Sequence, residues 1–240
     1  MKTISVTALH YGLDYLADAL LSVIDVVDEA WVLYTPVGSH GHRTNTPCPE
    51  HMADLYQVAQ AAAGDKLRWY AGMWDYEGAQ RDAIYQLAPD ADVILTLDAD
   101  EVWPAGLAAA AIAELQASGA RYGRMALIHF WRSFGRAMLD DAAAPIRIVN
   151  VHGEGETTLQ GKLLHFGYAQ NSAVVQYKIE THGHKGEWRA EWWAERWLPN
   201  AQRDVHPTGI DYWHPVAYDP TPLLTPSLMT HRYRMLEVIP

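Results

Sequence analysis

The chain has a single cysteine, Cys48. No internal disulfide can form, and this usage fits a reducing compartment. No apolar run reaches the roughly 18 residues of a membrane span. A basic start followed by an apolar stretch and a cleavage site is also missing, so no secretory leader is expected and a cytoplasmic location is. Positive charge is scarce. Lysine and arginine total 18 against 29 acids, and the net charge of −11 argues against a general nucleic-acid coating protein. Phenylalanine is rare at three, whereas tryptophan reaches ten, most of them beyond residue 130. Tryptophan on that scale is chiefly core material, and it can also line a sugar site. There is no internal repeat and no low-complexity segment. With 49% hydrophobic and 20% charged residues, the 240-residue chain can build one sizeable core and is not expected to be disordered.

What is present reads first as alternating elements. Residues 3–9 form a strand-like run, and Leu13, Leu16, Ala17, Leu20, Leu21 and Ile24 then recur at helical spacing. Strands are expected at 30–34, 67–70 and 92–97, and helices at 51–63, 78–87 and from Pro104 to about Ser118. Residues 36–49 have loop composition. This β-α alternation implies a parallel sheet with right-handed crossovers. Beyond residue 120 strands are expected at 125–131 and 145–151, with a loop at 132–136, then a short strand or turn at 163–168. One or two helices should follow over 171–198. There Trp188, Trp192, Trp193 and Trp197 make a stripe that reads as packing. A proline-rich tail from Pro199 should pack on the domain. The expected division is 1–170 for the main domain and 171–240 for a helical and loop extension.

The chemistry is concentrated where Val93-Ile94-Leu95-Thr96-Leu97 ends in Asp98-Ala99-Asp100-Glu101. A continuous apolar run is the mark of a buried parallel strand, and ligands of open α/β sheets bind beyond the carboxyl ends of such strands. Asp98 and Asp100 would then lie at a ligand-binding edge, close enough to share a cation. Hard carboxylates suit Mg²⁺ or Mn²⁺ carrying a substrate diphosphate. The alternative is a solvated turn at a strand end. Acids crowded in this way are expected to repel one another and to cost stability.

Four segments in order resemble a family 2-type glycosyltransferase of GT-A fold, over roughly residues 3–170. They are Leu20-Leu21-Ser22-Val23 with Val27-Asp28-Glu29-Ala30-Trp31-Val32-Leu33; Gly78-Ala79-Gln80-Arg81-Asp82, with Asp82 where the family has Asn; Leu97-Asp98-Ala99-Asp100-Glu101, a D-x-D motif; and Leu164-His165-Phe166-Gly167-Tyr168-Ala169. The resemblance implies an α/β, Rossmann-like fold with a mainly parallel sheet and helices on both faces. It implies metal-dependent, inverting transfer of a sugar, of hexosyl type, from a nucleotide-sugar donor, commonly UDP-linked. Asp100 and His165 would hold Mn²⁺ or Mg²⁺, and Asp98 would share it or hold donor hydroxyls. Arg81 would pair with the diphosphate or sugar, or else form a structural salt bridge to Asp98 or Asp100. The nucleoside would lie over Ala8, His10, Tyr11, Tyr34 and Thr35. Asp75 is a candidate base reader or helix cap.

An inverting transfer also needs a general base. The candidates are Asp140, Asp141 and Glu154, with Glu156 beside the last; each could instead be a solvated loop acid. The acceptor is open between a glycan or lipopolysaccharide-type sugar and a hydroxymethylated base in phage-type DNA. The DNA option rests on Arg121, Arg124, Arg132 and Arg136. Arg132 and Arg136 are expected on the acceptor side, where they could hold phosphates. The absence of a basic amphipathic C-terminal helix weakens a lipid acceptor. Two other classes remain. One is a nucleotide-binding protein without transfer. The other is a zinc protein built on His40-Gly41-His42 and His182-Gly183-His184, which would need ligands gathered from afar.

Overall fold

The structure, a computed structural model, describes residues 1–38, 44–138, 144–181, 193–198 and 215–235. The first half follows the hydrophobic pattern. Strands β1 (Thr3–Leu9), β2 (Glu29–Tyr34), β3 (Leu67–Ala71) and β4 (Val93–Thr96) pair in parallel in the order β3-β2-β1-β4. Helices α1 (Leu16–Val23) and α2 (Met52–Ala63) cover one face of this half. Helices α3 (Glu77–Asp82) and α4 (Ile84–Leu87), which abut at Ala83, cover the other. β1 and β4 sit in the middle and bury both faces; Val93-Ile94-Leu95 of β4 therefore read as an unbroken apolar run, while β1 also buries Thr3, Ser5 and Thr7.

The second half adds antiparallel pairs to the parallel ones. β5 (Glu101–Val102) leads to α5 (Leu107–Ser118), which begins after the Pro104 turn, and then to β6 (Tyr122–Trp131), β7 (Ser133–Met138), β8 (Ile146–Asn150) and β9 (Glu156–Tyr168). β8 lies beside β4 and runs antiparallel to it. β6 pairs antiparallel with β8 at its start and with β7 at its end, and in parallel with β9 along its length. The expected loop at 132–136 is instead a hairpin into β7. Gly135 and two arginines give the segment a loop-like composition, yet Phe134, Ala137 and Met138 are buried. The turn is made by Arg132, with φ at 59°. The expected short strand at 163–168 is the last part of the 13-residue β9.

Two cores result. One is aliphatic and lies under α1, α2 and α5. The other is aromatic and joins Tyr15, Phe130, Phe134 and Phe166 to residues of the C-terminal segments, among them Val175, Trp197, Leu228 and Tyr233. Those segments are α6 (Ser172–Thr181), a π-helical turn at Trp193–Trp197, β10 (Val216–Ala217) paired with β7, α7 (Pro226–Met229) and α8 (Arg232–Met235). Part of the proline-rich tail is thus regular structure. Phe130 and Tyr15 both stack on Phe166 at near-parallel angles, with centroids 4.7 and 4.5 Å away. Trp188 and Trp192 lie outside the described residues. Trp197 is fully buried, stacked against Trp193 and edge-on to Trp131. Replacing Trp197 with Ala should cost about 3–5 kcal/mol, the range for deleting a buried aromatic ring; chemical denaturation checks this, and a loss under about 1 kcal/mol would place the ring outside the core.

Candidate active site

The acids fall at the carboxyl edge of β4. Asp98 ends the strand's run, and β5 begins at Glu101, in register with His165 of β9. A backbone bond from Phe166 N–H to the Asp100 carbonyl (2.8 Å) fixes that approach. Ala99, between the two aspartates, packs on Gly12 at the start of α1. A Cβ at position 12 would stand 2.5 Å from Ala99 Cβ, and Gly12 has φ +141°. Glycine is required there both for its backbone angle and for the close approach.

Each acid has a cationic partner. Arg147 of β8, 6% exposed, donates from Nε to Glu101 Oε2 at 2.7 Å and from Nη2 to Glu101 Oε1 at 2.5 Å. The same Nη2 reaches Asp98 Oδ2 at 2.8 Å. Arg81 of α3 bonds Asp98 Oδ1 and also pairs with Glu77 one helical turn back. Asp100 Oδ1 faces His165 Nε2 at 3.6 Å, and Asp100 Oδ2 accepts from Lys178 Nζ of α6 at 3.3 Å. The expected mutual repulsion is therefore compensated. Burial opposes ionisation of Asp98, but Arg81 and Arg147 outweigh it, and its carboxyl lies well below the ordinary range. For Asp100 burial is outweighed by Lys178 and His165, again downward. Glu101, 1% exposed, is pushed up by burial against the pull of Arg147. Burial pulls His165 down to about 3, so its ring is neutral near pH 7. His165 Nδ1 lies 2.6 Å from His129 Nδ1.

The expected donor-side residues separate. His10 is buried where β1, β2 and α6 meet, with Nδ1 2.8 Å from the Thr35 carbonyl and Nε2 2.9 Å from the Tyr177 hydroxyl. Tyr11 is half-buried and edge-on to Tyr177. Ala8 is partly exposed near the end of β1. Tyr34 turns into the aliphatic core and stacks on Trp69, and Thr35 is buried. Asp75 is exposed on the loop after β3, and the N-cap of α3 is Tyr76 rather than Asp75.

Other expectations are corrected. Asp98 meets a guanidinium with each oxygen, Oδ1 with Arg81 and Oδ2 with Arg147. Glu154 is exposed beside Gly119 and Arg121, at the start of β6. β8 runs antiparallel to β4 with Asn150 opposite Val93, so this turn lies at the amino end of β4, away from Asp98 and Asp100. Glu156 pairs with Arg124 at 2.9 Å. Arg132 is fully buried, with its guanidinium over the Trp197 ring at 4.2 Å and donating to the Trp197 carbonyl. Arg121 and Arg124 stand at the other end of β6 from Arg132, so the four arginines do not form one phosphate-holding patch. Arg136 is half-buried in β7, with Ala217 of β10 as its strand partner. Asp140, Asp141 and both His-Gly-His segments lie outside the described residues. Among the described residues no group of three or more His, Cys, Asp or Glu is arranged to hold a metal alone.

Sequence reasoning missed Lys178, Arg147 and Gln80. Lys178 and Arg147 come from elements whose pairing with the acids is set only by tertiary structure. Gln80 is buried and donates to the carbonyls of Leu9 and Leu33, tying α3 to the ends of β1 and β2. Its one signal was its place beside Arg81.

No protein-family model matches the chain, and no curated protein does. Among solved structures it is similar to residues 1–349 of S. aureus TarS, at TM-score 0.46 and 10% identity, over 70% of this chain and 61% of that one. It is similar to glucosyl-3-phosphoglycerate synthase from Mycobacterium tuberculosis in complex with Mg²⁺ and uridine diphosphate, at TM-score 0.38 and 16% identity, over 55% and 44% of the two chains. It is also similar to 4-diphosphocytidyl-2C-methyl-D-erythritol synthase from Anaerococcus prevotii, at TM-score 0.36 and 16% identity, over 62% and 64%. The chain thus spans less than two thirds of each of these three. The α/β architecture, with helices on both faces of the parallel half and acids at its carboxyl edge, is the one expected of a GT-A fold.

Arg147 bonds two of the three acids. Arg147→Met would leave Glu101 and Asp98 partly uncompensated in a buried site, at a cost of about 3–5 kcal/mol. Glu101, already above its unfolded value, would be raised further, so the native state would hold its proton to higher pH and lose stability as pH rises. Urea titrations at pH 5 and pH 8 should show the variant weakening more steeply with pH than the parent. Equal slopes would contradict this account.

Proposed function

We propose that the chain is a glycosyltransferase that moves a sugar, of hexosyl type, from a nucleotide-diphosphate donor to an acceptor hydroxyl with inversion. The observation that supports this most is the cluster at the carboxyl edge of β4, where carboxylates and cations of three other elements converge. The diphosphate leaving group gathers negative charge as the glycosidic bond to the donor breaks. A site that stabilises that charge without reorganising is the main catalytic requirement.

The residues fit a divalent cation at one place. Asp100 Oδ1 and His165 Nε2, 3.6 Å apart, could both reach one ion at ligand distances of about 2.0–2.2 Å. The neutral imidazole has a lone pair to give, and His129 fixes the ring from its other nitrogen. Two protein ligands completed by phosphate oxygens and water is a usual arrangement for Mg²⁺. The ion, when bound, would act as a Lewis acid on the diphosphate. Arg81 is held by Asp98, two residues before Asp100, and by Glu77, and its Nε is buried with no hydrogen-bond partner among the described residues. A donor oxygen would satisfy it. Asp98 then acts as the anchor of Arg81 and Arg147 rather than as a ligand. His10 and Tyr11 would border the nucleoside, with Asp75 across from them on the loop after β3. For the general base Asp140 and Asp141 remain candidates. For the acceptor a neutral glycan is favoured over DNA, because Arg132 is buried and Arg124 is already paired.

The test is donor consumption. Radiolabelled nucleotide sugars, UDP-linked ones first, are incubated with Mn²⁺ or Mg²⁺, with and without glycan acceptors. Slow donor hydrolysis without acceptor and faster transfer with one are expected. His165→Ala should raise the cation concentration needed for half activity and do less at saturating Mn²⁺, while Asp100→Asn should lower turnover at all concentrations. If no nucleotide sugar is consumed, or Asp100→Asn is as active as the parent, the assignment is wrong.

A further inference from the structure

The carboxylate at the centre of the proposed cation site already has a cation on it. Lys178 is 8% exposed and places Nζ 3.3 Å from Asp100 Oδ2, on the oxygen opposite the one that faces His165. Its ammonium also lies 5.5 Å from the Tyr168 ring centroid. Gly167 leaves the room for this. A Cβ there would stand 2.9 Å from His165 Nε2 and 3.0 Å from Lys178 Nζ, so glycine lets both side chains lie over the same stretch of backbone.

The charges sharpen the point. Asp98, Asp100 and Glu101 face Arg81, Arg147 and Lys178, and Glu77 shares Arg81. A divalent ion entering alone would bring two positive charges to a cluster whose acids already have basic partners. It would also have to compete with Lys178 for Asp100. A diphosphate arriving with the ion changes the balance, because its negative charges accept the ammonium that Asp100 gives up. No bond is made or broken in this exchange; an ion pair changes partner.

This inference rests on the proposed nucleotide-sugar reading and goes beyond it. We propose that Lys178 is the resident counter-cation of Asp100 and, once a divalent ion takes that carboxylate, a ligand of the donor's diphosphate, so that ion and nucleotide bind as a coupled pair. The coupling falls in the range of known linked sites, about 5- to 150-fold in affinity.

Mn²⁺ binding read by electron paramagnetic resonance, with and without UDP, tests this on the full chain. The parent should bind Mn²⁺ weakly alone and about tenfold or more tightly with UDP. Lys178→Met should bind Mn²⁺ alone about tenfold more tightly than the parent and lose most of the gain that UDP gives. Lys178→Arg, which keeps the charge, should behave like the parent. Lys178→Gln serves if the methionine variant does not fold, with thermal melting as the check. If Lys178→Met matches the parent in both measurements while UDP still strengthens Mn²⁺ binding, the role of Lys178 is refuted and the cation site stands. If neither protein binds Mn²⁺ with or without UDP, the cation reading fails and takes this proposal with it.

Discussion

The arrangement of this protein turns on one guanidinium. Arg147 lies between Glu101 and Asp98 and bonds both, and it compensates two carboxyl groups held close together behind the sheet edge. It is there because β8 runs antiparallel beside β4. That pairing brings a strand's amino end to the carboxyl end of β4, where a continuation of the parallel series would have brought another carboxyl end. The break in the parallel pattern and the tolerance of an acidic strand end are the same structural fact.

A second layer depends on the first. β9 reaches the acids through the short β5 pairing, which sets His165 opposite Glu101, while the parallel pairing with β6 sets His129 against His165. Beyond it the aromatic core fixes the carboxyl-terminal segments to the same strands. α6, which carries Lys178, packs through Val175 into that core, and Tyr168 of the same core lies against the Lys178 ammonium, so the placement of one charged side chain depends on this ring packing. The excess of tryptophan and the scarcity of phenylalanine in the sequence are partly explained here: Trp131, Trp193 and Trp197 build part of this core, and Trp197 covers the buried Arg132.

The first half of the fold was legible because it is local. Apolar runs at strand length and helical periodicity at 13–24 and 51–63 correspond to β1–β4, α1 and α2 within a few residues. The acids of the site were legible as an abrupt change at a strand end, and Arg81 was legible through its motif. What escaped depends on partners far along the chain. Lys178 and Asp100 are 78 residues apart and Arg147 and Glu101 are 46 apart, with no spacing rule connecting either pair. Arg132 was misplaced for a physical reason: an arginine beside a glycine-containing turn reads as exposed, and only the tertiary structure supplies the indole face and carbonyl that let a guanidinium be buried.

Glu50 accepts hydrogen bonds from the backbone N–H groups of Gly12 and Leu13, at 2.6 and 2.9 Å. Gly12 in turn rests on Ala99 with no side chain between them. The loop before α2, the entry to α1 and the turn between the two aspartates are therefore stacked like spacers on a common rod. The turn that carries Asp98 and Asp100 is thus braced from below by Gly12, and Gly12 by Glu50, so the two carboxylates rest on a backed support and are not the free end of a strand.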